Sequence, residues 1–232
     1  MGIGQQVAKQ VAPRVQKIAP GLTTSVIHEA MAKAIEGVGP LAGAAAAAEK
    51  QLAEKPGDVD RAIHEVIEIN VRLAGLQGFV TNLGGLVTAT VTIPANIAGV
   101  ALLQIRMVAG IAHLRGYDLD DPRVRNAILA CVMGEDAVKQ AVRKKRIPAR
   151  PLAIATAPTY DAELNRIMAA EVASELITKV AGKRLVTTVG RRVPVIGGLV
   201  GAGADGFSTW KIGRYADREL IKRGTQRPRA RR

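Results

Sequence analysis

From Leu73 to Ile105 the chain carries no charged side chain, and this 33-residue stretch limits the folds open to it more than any other feature. A segment that apolar must be buried, either in lipid or against other parts of the protein. As one straight helix it would be about 50 Å long, well beyond the roughly 30 Å hydrocarbon core of a bilayer. Pro94 lies inside it and lacks the amide hydrogen that a continuous helix needs there. The stretch is therefore expected to divide into one helical segment over about 79–92 and another over 95–114, the second closing at Arg115 with Gly116 as the stop. Asn82, Asn96, Gln77, Gln104 and several threonines dilute both halves. Mean hydropathy of the whole chain is +0.12, modest for two membrane spans. Burial within a helical bundle satisfies the same residues, and two spans stand as the alternative.

Apolar positions recur every three to four residues along most of the chain, and aromatics make up 3% of it, a composition that favours helices over strands. Amphipathic helices are expected over 5–18 and 23–36, separated by Pro20 and Gly21, with Thr23 or Thr24 as N-cap, and a third through the alanine run to Glu54. Asp58 caps the next helix, whose apolar positions Ile63, Val66, Ile67, Ile69 and Val71 oppose Arg61, Glu65, Glu68 and Arg72. Asp121 and Pro122 start a basic helix that runs to Lys145, since aspartate caps and proline suits a first turn. The proline-punctuated connector 147–158 reads as a hinge, and Leu164, Met168, Val172 and Leu176 mark the buried stripe of a helix over 161–185. The fold class that results is all-α: a compact multi-helix bundle with two glycine-rich apolar helical segments, about 79–114 and 194–206. Its divisions are N-terminal amphipathic helices over 1–57, a helical domain over 58–223 and a basic, disordered tail over 224–232.

Net charge is +13, and it is unevenly placed: residues 1–70 hold 7 basic and 8 acidic side chains, the remainder 26 and 12. Lys139, Arg143, Lys144, Lys145, Arg146 and Arg150 form one cluster, and Arg227, Arg229, Arg231 and Arg232 another. Such runs attract anionic lipid headgroups or nucleic-acid phosphates, or else form a solvated face. Trp210 and Tyr215, with Phe207, lie near Lys211 and Arg214 on the last helix, a pairing of aromatics with cations suited to a membrane interface or to the edge of a core. The single cysteine, Cys131, excludes an intramolecular disulfide and reads as a small buried hydrophobe. Nothing near residue 1 has the apolar run and cleavage site of a secretion signal.

Chemical motifs are sparse. Gly201-Ala-Gly-Ala-Asp-Gly206 spells G-x-G-x-x-G, but too little chain follows for the second strand and distal acid of a dinucleotide site. Gly197 and Gly201, like Gly198, Ala202 and Gly206, are spaced four apart, as close helix packing requires. Gly84 and Gly85 belong to a similar string: Leu83 to Ala89 reads Leu-Gly-Gly-Leu-Val-Thr-Ala, and Ile196 to Ala202 reads Ile-Gly-Gly-Leu-Val-Gly-Ala. His64-Glu-Val-Ile-Glu68 lacks the second histidine of a zinc helix and reads as part of a salt-bridged surface helix. Asp118, Asp120 and Asp121 read as a turn and N-cap rather than as metal ligands. Ser25, Ser174 and Ser208 stand outside any nucleophile motif. No catalytic residue, metal or cofactor is expected.

Taken in order, these segments carry a likeness to a known family. Ile93-Pro94 precedes a long helix with Arg106, then Gly110-Ile-Ala-His-Leu-Arg-Gly-Tyr-Asp118; later come Val193-Pro-Val-Ile-Gly-Gly-Leu-Val-Gly-Ala202, Asp205-Gly-Phe-Ser-Thr-Trp210 and Ala216. Over about residues 60–220 the chain resembles the EcsC protein family. The resemblance implies a bacterial helical protein linked to membranes, the namesake being encoded with the subunits of an ABC transporter, and it brings no catalytic or ligand residues with it.

The expected function is thus non-enzymatic: association from the cytoplasm with the inner face of the cell membrane, or binding of a lipid or other hydrophobic ligand, auxiliary to transport or secretion. Lys139, Arg143, Lys144, Lys145, Arg146, Arg150, Trp210, Lys211 and Arg214 are the candidate lipid-facing residues, and Gly84, Gly85, Gly197, Gly198 and Gly201 the helix-packing glycines. Anionic lipid is the expected partner, and a membrane protein is compatible with it; no feature specifies an oligomeric state. Nucleic acid is the less favoured partner, because the chain has no recognised motif and few aromatics for stacking.

Overall fold

The computed structural model describes residues 20–75, 95–189 and 194–221. Among them, nine helices form: α1 (Pro20–Glu36), α2 (Ala44–Glu54), α3 (Val59–Gly75), α4 (Ala95–Leu114), α5 (Pro122–Met133), α6 (Glu135–Arg143), α7 (Pro151–Ala155), α8 (Ala162–Val189) and α9 (Pro194–Glu219). A two-residue antiparallel hairpin, β1 (Gly37–Val38) with β2 (Leu41–Ala42), joins α1 to α2. The all-α class is as the sequence indicates.

The apolar stretch explains the centre of this bundle. α4 carries its C-terminal third, and every residue from Ala101 to Ala112 is buried, among α1, α2, α3, α5 and α9, which all pack on it. A helix that is apolar all round belongs in such a place. Leu102, Leu103, Ile105, Met107, Val108 and Ile111 are fully buried there, each contributing about 1.5–3 kcal/mol before the entropy of ordering is subtracted. Among the described residues no helix is long and apolar enough to cross a membrane. The segment 79–92, with Gly84 and Gly85, lies outside the described residues, as do the helix expected over 5–18 and the arginine tail.

Local signals set several ends as expected. Asp58 Oδ1 accepts from the amide of Arg61 at 2.9 Å and starts α3. Asp121 Oδ1 accepts from the amide of Arg123 at 2.8 Å, with Pro122 in the first turn of α5. Gly116 has φ +82° where α4 closes. Three expectations need correction. α1 begins at Pro20 rather than at Thr23 or Thr24, because proline's fixed φ suits a first helical position. The basic helix breaks at Gly134, whose φ of +89° ends α5 and whose followers Glu135 and Asp136 suit the positive end of a new helix. The connector 147–158 is no bare hinge: Pro151 opens α7, and Pro151, Ile154 and Ala155 are buried against α5.

Helix α9 lies chiefly along α3 and also touches α4 and α5. Two of its glycines set the approach. An added Cβ at Gly213 would sit 2.9 Å from Ile67 Cγ1 and 3.1 Å from Met107 Sδ, and one at Gly206 would touch Val71 at 3.7 Å. Gly213 is thus a point of close approach between α9 and its neighbours; the surroundings of Gly197, Gly198 and Gly201, upstream in the same helix, lie outside what the structure describes.

Candidate functional site

Helix α9 divides into two faces by the helical repeat. Thr209, Ile212, Tyr215, Ala216 and Leu220 are buried and fix the helix in the bundle, with Gln104 Nε2 donating to Thr209 Oγ1 at 3.2 Å. Phe207, Trp210, Lys211 and Arg218 are exposed on the other face, and Arg214 is half-buried among them. Positions 207, 210, 211, 214 and 218 follow a spacing of three and four, so they make one stripe.

The aromatics of that stripe are unusually bare. Phe207 is 57% and Trp210 46% exposed, and their rings stack with centroids 6.1 Å apart and planes 13° from parallel. Lys211 Nζ stands 4.8 Å from the Phe207 ring centroid, a cation over a π face. Tyr215 does the opposite: it is buried, and burial pushes its hydroxyl well above the usual range, with the Glu219 carboxylate adding to the shift. Tyr215 thus belongs to the core, while Phe207 and Trp210 stand outside it.

The cationic cluster is less uniform than its sequence suggests. Lys139 donates to Glu135 Oε1 at 2.7 Å, Arg146 pairs with Glu171 on α8, and Arg150 pairs with Glu219 at the end of α9. Carboxylates thereby pair half of it, one from the same helix and two from distant parts of the sequence. Arg143, Lys144 and Lys145 have no ion pair among the described residues, and both lysines are exposed. Lys145 has φ +54° where α6 closes, a conformation that disfavours a side-chain-bearing residue by roughly 1–2 kcal/mol.

Glu135 joins the two regions. Its Oε1 takes Lys139 and its Oε2 takes Arg218 of the α9 stripe at 2.6 Å. The hydrogen bond from Lys139, aided by the charge of Arg218, holds this carboxyl below its ordinary range against the opposing effect of burial. Lys139 is thus brought to Arg218 of the stripe through a contact that the sequence reading missed. The signal was present in Arg218, which continues the 207–211–214 spacing.

Beside the stripe, α3 and α9 bound a groove of about 400 Å³ with Ile63 and Ile67 in its floor. Arg115 lies against both helices, reaching Asp60 at 2.8 Å and Asp217 at 2.6 Å.

The other polar features are structural. Arg106 is buried in α4, donating from Nε to the Ala42 carbonyl at 2.7 Å and from Nη1 to Asn70 Oδ1 at 2.9 Å; desolvation lowers its pKa. Burial likewise raises the thiol of Cys131, which suits a packing role over reactivity. Asp120's amide donates to Asp118 Oδ1 at 2.9 Å, so the aspartates form the expected turn and cap. His64 and Glu68 meet at 3.6 Å on an exposed face. Residues 201–206 lie inside the continuous helix α9, not at a strand-to-helix turn, and so lack the context of a dinucleotide loop. No group of three or more potential metal ligands occurs among the described residues.

No curated protein and no solved structure matches the chain. The model of the EcsC protein family does, and its match runs from residue 2 to residue 224. It takes in the first helices as well as the 60–220 region that carries the visible motifs, in keeping with the packing of α1 and α2 on the central α4. The chain belongs to the EcsC protein family.

Proposed function

We propose that this protein is a peripheral, non-enzymatic component of an anionic membrane surface, the inner face of the cell membrane, and that the exposed face of α9 makes the contact. One observation carries the reading: two stacked, half-bare aromatics beside Lys211 on a helix whose opposite face is firmly packed. Aromatic rings with adjacent cations suit the boundary between headgroups and acyl chains. Lys144 and Lys145, with Arg143, add charge that is not spent on neighbouring carboxylates among the described residues. Each such cation contributes about 1 kcal/mol near an anionic surface at low salt. A lysine kept at the left-handed position 145, where glycine is favoured, fits a role for its charge.

Trp210 is the chain's single tryptophan and reports on the contact directly. Titration with phosphatidylglycerol vesicles is expected to shift its emission to the blue and to carry the protein up a flotation gradient, with both effects weakened by salt. Phosphatidylcholine vesicles should leave it unmoved. Phe207→Ala is expected to weaken partitioning by roughly ten-fold, from the lost apolar burial. Unchanged emission and no flotation with either vesicle would exclude the reading, and retardation of duplex DNA in the same samples would assign the basic surface to nucleic acid.

Charge at the junction supplies an independent check. Glu135 holds both Lys139 and Arg218, so Glu135→Gln removes one negative charge from the surface and frees two cations from their shared partner. Partitioning onto phosphatidylglycerol vesicles should rise about five-fold at low salt and the gain should vanish at high salt; a variant that binds no better would place Glu135 away from the contact.

A further inference from the structure

Contacts along the three central helices fix the direction of each. Between α3 and α4, Asn70 meets Arg106, Val66 Cγ1 lies 3.4 Å from where a Cβ on Gly110 would stand, and Asp60 meets Arg115, so the two run antiparallel. Between α4 and α9, Gln104 meets Thr209, Met107 Sδ lies 3.1 Å from the Cβ position of Gly213, and Arg115 meets Asp217, so these run parallel. The end of α3, the start of α4 and the start of α9 therefore share one pole of the bundle. Helix α8 ends at Val189 and α9 begins at Pro194, and so short a link holds those two residues within about 18 Å of each other. The end of α8 belongs to the same pole.

The two poles differ in charge. At the far one stand Asp58 and Asp60 where α3 starts, Asp118 and Asp120 past the end of α4, and Asp217 and Glu219 in the last turn of α9, with arginines such as Arg115 among them. The segments that meet at the near pole carry no carboxylate: the sequence has no acidic residue between Glu68 and Asp118, and none between Glu175 and Asp205. The second of these intervals has five basic residues, of which Lys179, Lys183 and Arg184 belong to α8. Elsewhere Arg146, Arg150 and Arg218 are offset by carboxylates from other helices; at this pole the converging segments supply none. Residues 194–204 of α9 are uncharged and lead directly into Phe207 and Trp210, so the pole continues the exposed aromatic stripe.

We infer that this acid-free pole faces the bilayer, with the basic end of α8 among anionic headgroups and the carboxylate-bearing pole turned away. The inference rests on the membrane-surface reading for its partner and adds an orientation to it. Ala202 and Asp217 are about 22 Å apart along α9, more than twice the roughly 10 Å over which charge acts at 0.1 M salt. A surface at the near pole therefore attracts that pole's cations while the far pole's aspartates escape its repulsion.

The test is flotation of the full chain on vesicles of phosphatidylglycerol mixed with phosphatidylcholine, at about 0.1 M salt, with two doubly substituted variants that change net charge equally. Lys183→Glu with Arg184→Glu alters the near pole. Lys50→Glu with Lys55→Glu alters the far one, since Glu49 of α2 meets His113 in the last turn of α4. The first pair is expected to weaken partitioning at least about 30-fold and the second less than about three-fold. Lys183→Gln with Arg184→Gln should give an intermediate loss with circular dichroism unchanged, which separates a charge effect from a folding defect. Equal losses from the two glutamate pairs would mean that net charge alone sets the attraction, overturning the orientation while the membrane surface stands. A larger loss from the far pair would reverse the orientation and overturn it too. A parent protein that floats on no vesicle sinks both readings, and if it instead retards duplex DNA in a Lys183- and Arg184-dependent way, the pole belongs to nucleic acid.

Discussion

Replacing Arg106 with methionine is expected to destabilise the fold by about 2–4 kcal/mol, a fall in Tm of roughly 5–15 °C for a chain of this size. Arg106 is 6% exposed on the central helix α4 and pairs with no carboxylate among the described residues. Its partners are the Ala42 carbonyl of the small hairpin and the side-chain oxygen of Asn70 on α3, while Asn70 itself donates to the Val66 carbonyl at 2.7 Å. One side chain therefore ties three elements together. Hydrogen bonds from a charged donor are worth about 1.5–3 kcal/mol each, and their removal leaves the buried Asn70 oxygen without that donor inside the bundle. Against this, methionine removes the cost of burying a charge and fills similar space, and that relief is why the net loss is smaller than the two bonds would suggest. Hydrogen exchange should show the loosening first at Val38 and Leu41, in the hairpin. A methionine variant as stable as the parent would mean that desolvation of Arg106 outweighs its bonds, and that the hairpin is held by packing alone.

Arg106 also marks where sequence reading stopped short. Its helix was legible from end to end, Ala95 to Leu114, because Pro94 and Gly116 punctuate an apolar run and because such a run has to be buried. What lies opposite a buried polar group was not legible, since Ala42 and Asn70 are 64 and 36 residues away. The same limit applies to the cationic cluster. Six basic residues from Lys139 to Arg150 look like one positive face, yet Glu171 and Glu219 come from other helices to cover Arg146 and Arg150. The break at Gly134 was a different kind of omission: glycine followed by two acidic residues is a stop and a start, and the basic composition on either side masked it. The hairpin left no trace at all, because strands of two residues have no period to detect. On α9 the sequence reading grouped Tyr215 with Phe207 and Trp210, and the structure separates them, Tyr215 buried and the other two exposed.

Gly43→Ala is expected to destabilise the fold by about 3 kcal/mol or more. The reason is not conformational, since Gly43 has φ −60° and ψ 162°, which alanine adopts freely. It is steric and falls on backbone. The hairpin returns the chain so closely on the end of α1 that an added Cβ would stand 2.3 Å from the Ile35 carbonyl oxygen and 2.9 Å from the carbonyl group of Glu36. Carbonyls at the end of a helix cannot rotate away as a side-chain tip can, so either α1 must shorten or the hairpin must open. Opening it withdraws Ala42 from Arg106 and disturbs the start of α2, where the Gly43 carbonyl accepts from Ala47 at 3.0 Å. Gly39 provides the contrast within the same turn. Its φ is +54°, but nothing lies within 4 Å of an added Cβ, so Gly39→Ala should cost only the roughly 1–2 kcal/mol of a left-handed residue and Gly39→Asn less. Thermal unfolding of the three variants separates the two mechanisms. If Gly39→Ala proves as damaging as Gly43→Ala, backbone conformation governs this turn; if Gly43→Ala is mild, α1 and the hairpin have room to part, and the link from hairpin to Arg106 is looser than the contacts indicate.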